Sequence, residues 1–327
     1  MAGLLPRKLK HTTVLRARRT DRISIASPGD FAAVSNVKGA FECASALPYC
    51  LDFPRRRAVY VCGIDIEALK TAPFYYLHLR RNARSLLSVP IEHGSLRGVE
   101  PAVDPVFVFS PGRCGSTLLS RLLSEAHIAA VSEPDFFTQM SSVFWSSRYN
   151  PVRKAFWRAM WSMTDDLCGA LGAVPVIKLR AECCRAPGLF LRKPDAKAIV
   201  MLRSFESWAR STARVFAPSP GKAVSKYMRA LRCYAYLRAN GRCQVLRYDT
   251  LIAEPQVFSR GLGEFLDAPI PVEAVRRAMA ADSQSGTPLE HRSHPGWQAK
   301  FDATMRLWHT PRLVGARARL GIPALWD

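Results

Sequence analysis

The sequence predicts an α/β layer fold with a central, mainly parallel sheet, preceded by a β-rich N-terminal segment. From residue 106 onward, short apolar runs alternate with longer amphipathic stretches. Strands that are separated by helices pair in parallel through crossover connections, so this alternation is typical of an α/β domain. The chain has 327 residues, 48% of them hydrophobic, which is enough for one large domain or two modest ones.

The pattern before residue 104 is less regular. Residues 22–64 contain short β-like runs broken by proline and glycine. Residues 65–88 carry apolar side chains near helical spacing, which predicts a helix there. The stretch IEHGSLRGVEPAVDP that follows is rich in glycine and proline and indicates a connector. We therefore expect a basic tail over 1–20, an α+β segment over 21–103 and an α/β domain over 104–327.

The α/β domain is predicted to contain four buried strands with helices between them. The predicted strands are 106–109, 174–179, 196–202 and 243–248, and the predicted helices are 117–126, 205–214, 223–239 and 255–266.

The composition limits the classes of ligand and compartment. The formal net charge of +21 is spread along the chain and suits anionic ligands or polyanions without choosing between them. Nine cysteines form no CxxC pair and no Cys/His quartet, so we expect no metal site and reduced thiols in a cytoplasmic protein. No apolar run is long enough to predict a membrane-spanning helix, and the basic first 20 residues lack the apolar core of a secretory signal. Peripheral membrane contact stays open, and so does the oligomeric state.

The stretch VFVFSPGRCGSTLLSRLLSEAH, residues 106–127, joins a strand to a helix through a glycine-containing turn. Such a turn gathers backbone N–H groups at the positive end of the helix dipole, where an anion binds. An ATP-binding loop would carry a lysine directly after its last glycine, but Gly115 is followed by Ser116 and Thr117. The loop therefore predicts an anion site that differs from that of a kinase.

A second interpretation of the same loop makes Cys114 a nucleophile, because a helix N-terminus lowers the pKa of a thiol. A cysteine phosphatase would also need an arginine six residues later to hold the phosphate, and Ser120 occupies that position. This interpretation is therefore disfavoured.

The loop resembles the one that binds the 5′-phosphosulfate of the donor in sulfotransferases. The residues that carry this resemblance are Gly112, Arg113, Cys114, Gly115, Ser116 and Thr117.

Two further signatures of that family follow along the chain. One is a strand that ends in arginine with a serine eight positions on, both of which hold the 3′-phosphate of 3′-phosphoadenylyl sulfate (PAPS). The segment AKAIVMLRSFESWARS places Arg203 and Ser211 at that separation. The segment QVLRYDTLIAEPQ resembles the family's later strand and implies that Tyr248 lies near the adenine. The resemblance covers about residues 105–270 and implies a P-loop-type, three-layer α/β fold.

The resemblance also implies catalytic roles. In tyrosylprotein and glycosaminoglycan sulfotransferases a glutamate after the strand that follows the loop's helix is the base, which corresponds to Glu133, with Asp135 as the alternative. Arg113 and Lys178 correspond to cations that stabilise negative charge on the sulfuryl oxygens and the leaving phosphate. We further consider three histidines for acid or base work and one arginine, in a late loop over 283–300, for phosphate contact: His127, His291, His294 and Arg292.

The implied function is transfer of the sulfuryl group from PAPS to a hydroxyl of a carbohydrate, lipid or small metabolite, without a metal and without a nucleic-acid partner. Two alternatives stay open. One is a nucleotide-dependent P-loop kinase, and the other is a non-catalytic basic protein that binds nucleic acid or a membrane surface.

Overall fold

In a computed structural model of the chain, the described residues are 10–17, 24–36, 46–70, 72–94, 96, 104–280 and 292–321. They divide between two compact units. One comprises 1–104 and 131–175, and the other comprises 105–130 and 176–327. Residues 131–175, which the sequence analysis assigned to the α/β domain, thus cluster with the N-terminal residues.

The described strands and helices are as follows. The strands are β1 Lys10–Ala17, β2 Phe31–Asn36, β3 Leu47–Asp52, β4 Arg57–Cys62, β5 Ser85–Pro90, β6 Val106–Phe109, β7 Ala130–Ser132, β8 Val176–Lys178, β9 Lys197–Leu202 and β10 Arg242–Arg247. The helices are α1 Ile66–Lys70, α2 Tyr75–Asn82, α3 Ser116–Glu125, α4 Asp135–Val143, α5 Arg153–Leu171, α6 Phe205–Phe216, α7 Pro220–Asn240, α8 Tyr248–Ala253, α9 Pro255–Leu266, α10 Val272–Ala280, α11 Trp297–Trp308 and α12 Pro311–Ala318.

The first unit is built on a five-stranded antiparallel sheet in the order β2-β1-β5-β4-β3. All residues of β3 are buried, and α4 and α5 pack against this strand. The predicted β-rich N-terminal segment is therefore confirmed. The prediction of one helix over 65–88 was wrong in its last part, because residues from Ser85 onward pair with both β4 and β1.

A charged network is fully buried in this unit. The guanidinium of Arg80 lies 3.0 Å from the carboxylate of Asp30, which also accepts a 2.6 Å hydrogen bond from the hydroxyl of Tyr49. Neither charged side chain is exposed. Burial of an ion pair is tolerated when further hydrogen bonds satisfy it, as Tyr49 does here.

The second sheet has the order β10-β9-β6-β8-β7. The pairs β10/β9, β9/β6 and β6/β8 are parallel, as the alternation of strands and helices predicted. Helices flank this sheet, which confirms the α/β fold class. The predicted strand over 243–248 ends one residue earlier, so that Tyr248 begins α8 instead of closing a strand.

Candidate active site

The glycine-containing turn connects β6 to α3 in an unusual backbone conformation. Gly112, Arg113 and Gly115 have φ values of 75°, 59° and 78°. The amide of Gly112 donates to the hydroxyl of Ser110 at 3.2 Å, and Gly115 caps α3 without any side-chain hydrogen bond. The first N–H groups of α3 therefore lack the side-chain acceptor that usually satisfies a helix start, which suits an anion.

Gly115 is required by the close approach of an aromatic ring. A Cβ atom at this position would lie 2.3 Å from Cδ2 of Tyr248 and 3.2 Å from the terminal methyl group of Met201. Because non-bonded carbon atoms do not approach below about 3.5 Å without strain, no larger residue fits while the ring stays in place. Tyr248, predicted to lie near the adenine, thus covers the last residue of the loop.

Two segments that lie 98 residues apart meet at the loop. Nε of Arg113 donates to the hydroxyl of Ser211 at 3.2 Å. Ser211 lies on α6, which follows β9 and Arg203, so the structure brings the first and second sequence signatures into direct contact.

Arg203 follows the last residue of β9 and is held from two sides. Its carbonyl accepts a 2.6 Å hydrogen bond from the hydroxyl of Tyr227, and its guanidinium carbon lies 4.6 Å from the centroid of the Tyr248 ring. Within the described part of the chain, its Nε is buried and has no hydrogen-bond partner. A buried, unsatisfied donor costs free energy, so this atom fits an anionic ligand.

Positive charge is concentrated around Arg113. Burial lowers the pKa of this guanidinium, and the neighbouring positive charges of Arg203 and Arg214 lower it further. Arginine nevertheless stays protonated in proteins, so the three side chains repel one another. An anion bound at this place would relieve that repulsion.

Cys114 lies inside the loop but is not suited to nucleophilic chemistry. Its side chain is fully buried, and its Sγ lies 3.5 Å from the carbonyl oxygen of Gly112. Burial raises the pKa of the thiol, even though the charges of Arg203 and Lys226 oppose this rise. The thiol therefore stays protonated near neutral pH, which argues against the cysteine-phosphatase interpretation.

Lys178 is the last residue of β8 and pairs in register with Val108 of β6. The next residue, Leu179, donates its amide to the carbonyl of Val108 at 2.9 Å. The lysine is 5% exposed. It therefore lies on the strand next to β6, close to the carboxyl end from which the loop begins, where α/β folds place ligands.

The two predicted base residues belong to the first unit and differ in their surroundings. Glu133, between β7 and α4, is half-buried and has a φ of 63°. A strained backbone at a residue other than glycine is typical of functional sites. Asp135 is fully buried, and its carboxylate accepts a 2.7 Å hydrogen bond from the amide of Ala26. Asp135 is thus engaged in holding the first unit together.

Two of the alternative acid–base residues, His127 and His294, lie outside the loop. His127 is exposed and lies just after α3, where its amide donates to the carbonyl of Ser124 at 3.0 Å. His294 donates its amide to the carbonyl of Arg214 at 2.7 Å, and Arg292 lies 5.7 Å from the centroid of the Phe216 ring.

His291 and the rest of the first half of the late loop, 283–290, lie outside the described residues.

Three residues that no sequence motif indicates contact or border the loop. Nε1 of Trp208 donates to the carbonyl of Gly112 at 2.8 Å, Tyr227 holds the carbonyl of Arg203, and Lys226 brings its ammonium group near Gly112. Trp208 and Tyr227 occur at positions that predict a buried helix face, so their spacing gave no signal beyond a core role.

Within the described ranges, no group of three or more His, Cys, Asp or Glu side chains is arranged to hold a metal ion. No helix in the part of the chain that the structure describes combines the length and hydropathy needed to cross a bilayer.

The structure resembles solved sulfotransferases. Sulfotransferase STF9 from Mycobacterium avium has 12% identity and a TM-score of 0.42, over 68% of this chain and 76% of that one. The sulfotransferase domain from the curacin biosynthetic pathway has 14% identity and a TM-score of 0.39, over 68% and 97%. Retinol dehydratase in complex with androsterone and inactive cofactor PAP has 12% identity and a TM-score of 0.36, over 66% and 79%.

No model of a protein family matches the chain, and no curated protein matches it in sequence. The similarity to these solved structures is therefore one of low identity over about two thirds of this chain. Residue roles in this chain consequently depend on the surroundings of its own side chains.

Proposed function

We propose that this protein is a PAPS-dependent sulfotransferase. The observation that carries the proposal is the 3.2 Å hydrogen bond between Arg113 of the loop and Ser211 of α6, next to Arg203, whose buried Nε has no partner among the described residues. One donor molecule carries both a 5′-phosphosulfate and a 3′-phosphate. It would therefore bind the loop and the Arg203–Ser211 pair at the same time.

The residues fit such a donor. The amides of the loop and of the first turn of α3 would bind the 5′ end, and the sequence motif assigns this role to Gly112, Arg113, Cys114, Gly115, Ser116 and Thr117. Arg203 and Ser211 would bind the 3′-phosphate, since a guanidinium and a hydroxyl are both strong donors to phosphate oxygens. Tyr248, which stacks on Arg203, offers an aromatic face for the adenine.

The chemistry assigned to the side chains is an in-line displacement. The bound donor supplies the sulfuryl group. The sequence resemblance assigns the role of base to Glu133, which would take the proton of the acceptor hydroxyl while that oxygen forms a bond to sulfur and the bond from sulfur to the phosphate oxygen breaks. Arg113 and Lys178 stabilise the negative charge that develops on the sulfuryl oxygens and the departing phosphate. We propose a carbohydrate, lipid or small metabolite as the acceptor, since nothing in these side chains selects a protein tyrosine.

Thermal unfolding with two nucleotides tests the proposal against its rivals. Adenosine 3′,5′-bisphosphate at about a hundredfold excess over its Kd should stabilise the protein by about 2.7 kcal/mol, whereas ATP with magnesium should stabilise it much less. A kinase would show the opposite preference. A protein that binds polyanions without regard to the nucleotide would show no preference, and its binding would weaken steeply with salt. Either result would refute the sulfotransferase proposal.

A further inference from the structure

A lysine outside every motif of the loop approaches it from helix α7. Nζ of Lys226 lies 3.7 Å from the position that a Cβ atom would take on Gly112. Its charge also acts on the buried thiol of Cys114. Lys226 is therefore a cation at the loop, although it lies 110 or more positions away in sequence from both of these residues.

The packing of α7 fixes where Lys226 lies. Its neighbour Tyr227 is fully buried, holds the Arg203 carbonyl at 2.6 Å, and packs its ring against Trp208 at a centroid distance of 5.0 Å and Trp308 at 5.6 Å. Lys226 comes directly before this anchor, at the margin of the buried stripe of the helix, and is itself half-buried. The orientation of α7 is thus set by contacts that do not involve Lys226.

Among the described residues, no carboxylate forms an ion pair with Lys226. Its ammonium group lies 3.7 Å from the Cβ position of Gly112, and the charges of Lys226 and Arg203 both act on the Cys114 thiol. A partly buried ammonium group beside other positive charges is unfavourable unless an anion joins them. The missing partner is therefore expected to be an anionic ligand of the loop.

We propose that Lys226 is a donor-binding residue that contacts the 5′ end of the nucleotide held by the loop, an inference that rests on the proposed function. It supplies from α7 the positive charge that an ATP-binding loop carries on its own lysine. Arg203 and Ser211 serve the 3′-phosphate, so Lys226 and this pair act on opposite ends of the same ligand. A substitution of Lys226 should therefore change the affinity for the 5′ end of the nucleotide and leave the affinity for its 3′-phosphate unchanged.

Calorimetric titration of the full chain with two nucleotides tests this assignment. Lys226→Met should weaken binding of adenosine 3′,5′-bisphosphate about ten- to a hundredfold, because a charge-assisted hydrogen bond to the 5′-phosphate is lost. Binding of adenosine 3′-monophosphate should not change. Lys226→Arg should restore most of the bisphosphate affinity. The matched control is Lys222→Met, which removes an exposed lysine one turn earlier on the same helix and should leave both affinities unchanged.

Unchanged bisphosphate affinity in Lys226→Met would overturn the inference, and so would equal weakening of both nucleotides, which would indicate a general field effect. If Lys226→Met does not fold, Lys226→Gln replaces it, with the same expected results. If the wild type binds neither nucleotide, the proposed function fails, and inorganic pyrophosphate becomes the probe. Weaker pyrophosphate binding in Lys226→Met, but not in Lys222→Met, would then support an anion-binding role for Lys226. Equal pyrophosphate affinity of Lys226→Met and the wild type would refute that role.

Discussion

Replacing Gly115 by alanine tests the geometry of the loop. The residue has a φ of 78°, where a side chain costs about 1–2 kcal/mol. The added Cβ would also lie 2.3 Å and 2.7 Å from two ring carbons of Tyr248, and such overpacking costs a further ~1–3 kcal/mol. Gly115→Ala should therefore lower the free energy of unfolding by about 2–5 kcal/mol, a large fraction of the total for a typical domain.

Urea denaturation at constant m-value measures this loss, and a double-mutant cycle assigns it. In a Tyr248→Ala background the overlap disappears, so Gly115→Ala should cost only the backbone part, about 1–2 kcal/mol. Gly221→Ala is the matched control, because a Cβ there meets nothing within 4 Å and its φ is not positive. Equal cost of Gly115→Ala with and without the Tyr248 ring would refute the close approach.

Three other predictions follow from the surroundings of single side chains. Glu133→Gln should abolish sulfuryl transfer while leaving bisphosphate binding intact, and normal turnover of this variant would show that Glu133 is not the base. Asp135→Asn should instead lower the free energy of unfolding by about 1–3 kcal/mol, because it weakens a buried hydrogen bond. Because burial raises the pKa of the Cys114 thiol, iodoacetamide at about pH 8 should modify Cys114 in urea but not in the folded protein. Mass spectrometry measures the label on Cys114, and a labelled Cys114 in the folded protein would contradict the prediction. Tyr227→Phe leaves the Arg203 carbonyl without its 2.6 Å hydrogen-bond partner. It should lower the free energy of unfolding in urea by about 1–3 kcal/mol and weaken bisphosphate binding in titration. Wild-type values for both would show that this hydrogen bond does not position Arg203.

The local patterns of the sequence predicted the parallel sheet well. Strand β9 and the start of α6 follow from an apolar run that ends in a polar turn, and β6 followed by α3 follows from the loop between them. Strand β5 was missed because SLLSVP carries adjacent leucines that also fit a helix. Only its pairing with β1 and β4, set by distant residues, decides for a strand.

The sequence predicts only those candidate site residues that belong to a recognisable motif. The family resemblance implied that Arg203 and Ser211 share a ligand, and the structure adds a hydrogen bond from Arg113 to Ser211. Lys226 and Trp208 could not be found in this way, because each reaches the loop through helix packing and not through a spacing along the chain. The strained φ of Glu133 is likewise a property of the folded backbone and leaves no mark in the sequence.

The central claim is that the loop and the Arg203–Ser211 pair form one site for a 3′-phosphorylated adenosine nucleotide. Titration of the protein with adenosine 3′,5′-bisphosphate and with adenosine 5′-monophosphate tests it most directly. The wild type should prefer the bisphosphate by about ten- to a hundredfold, and the double variant Arg203→Ala/Ser211→Ala should lose that preference. Equal affinity of the wild type for the two nucleotides would contradict the claim.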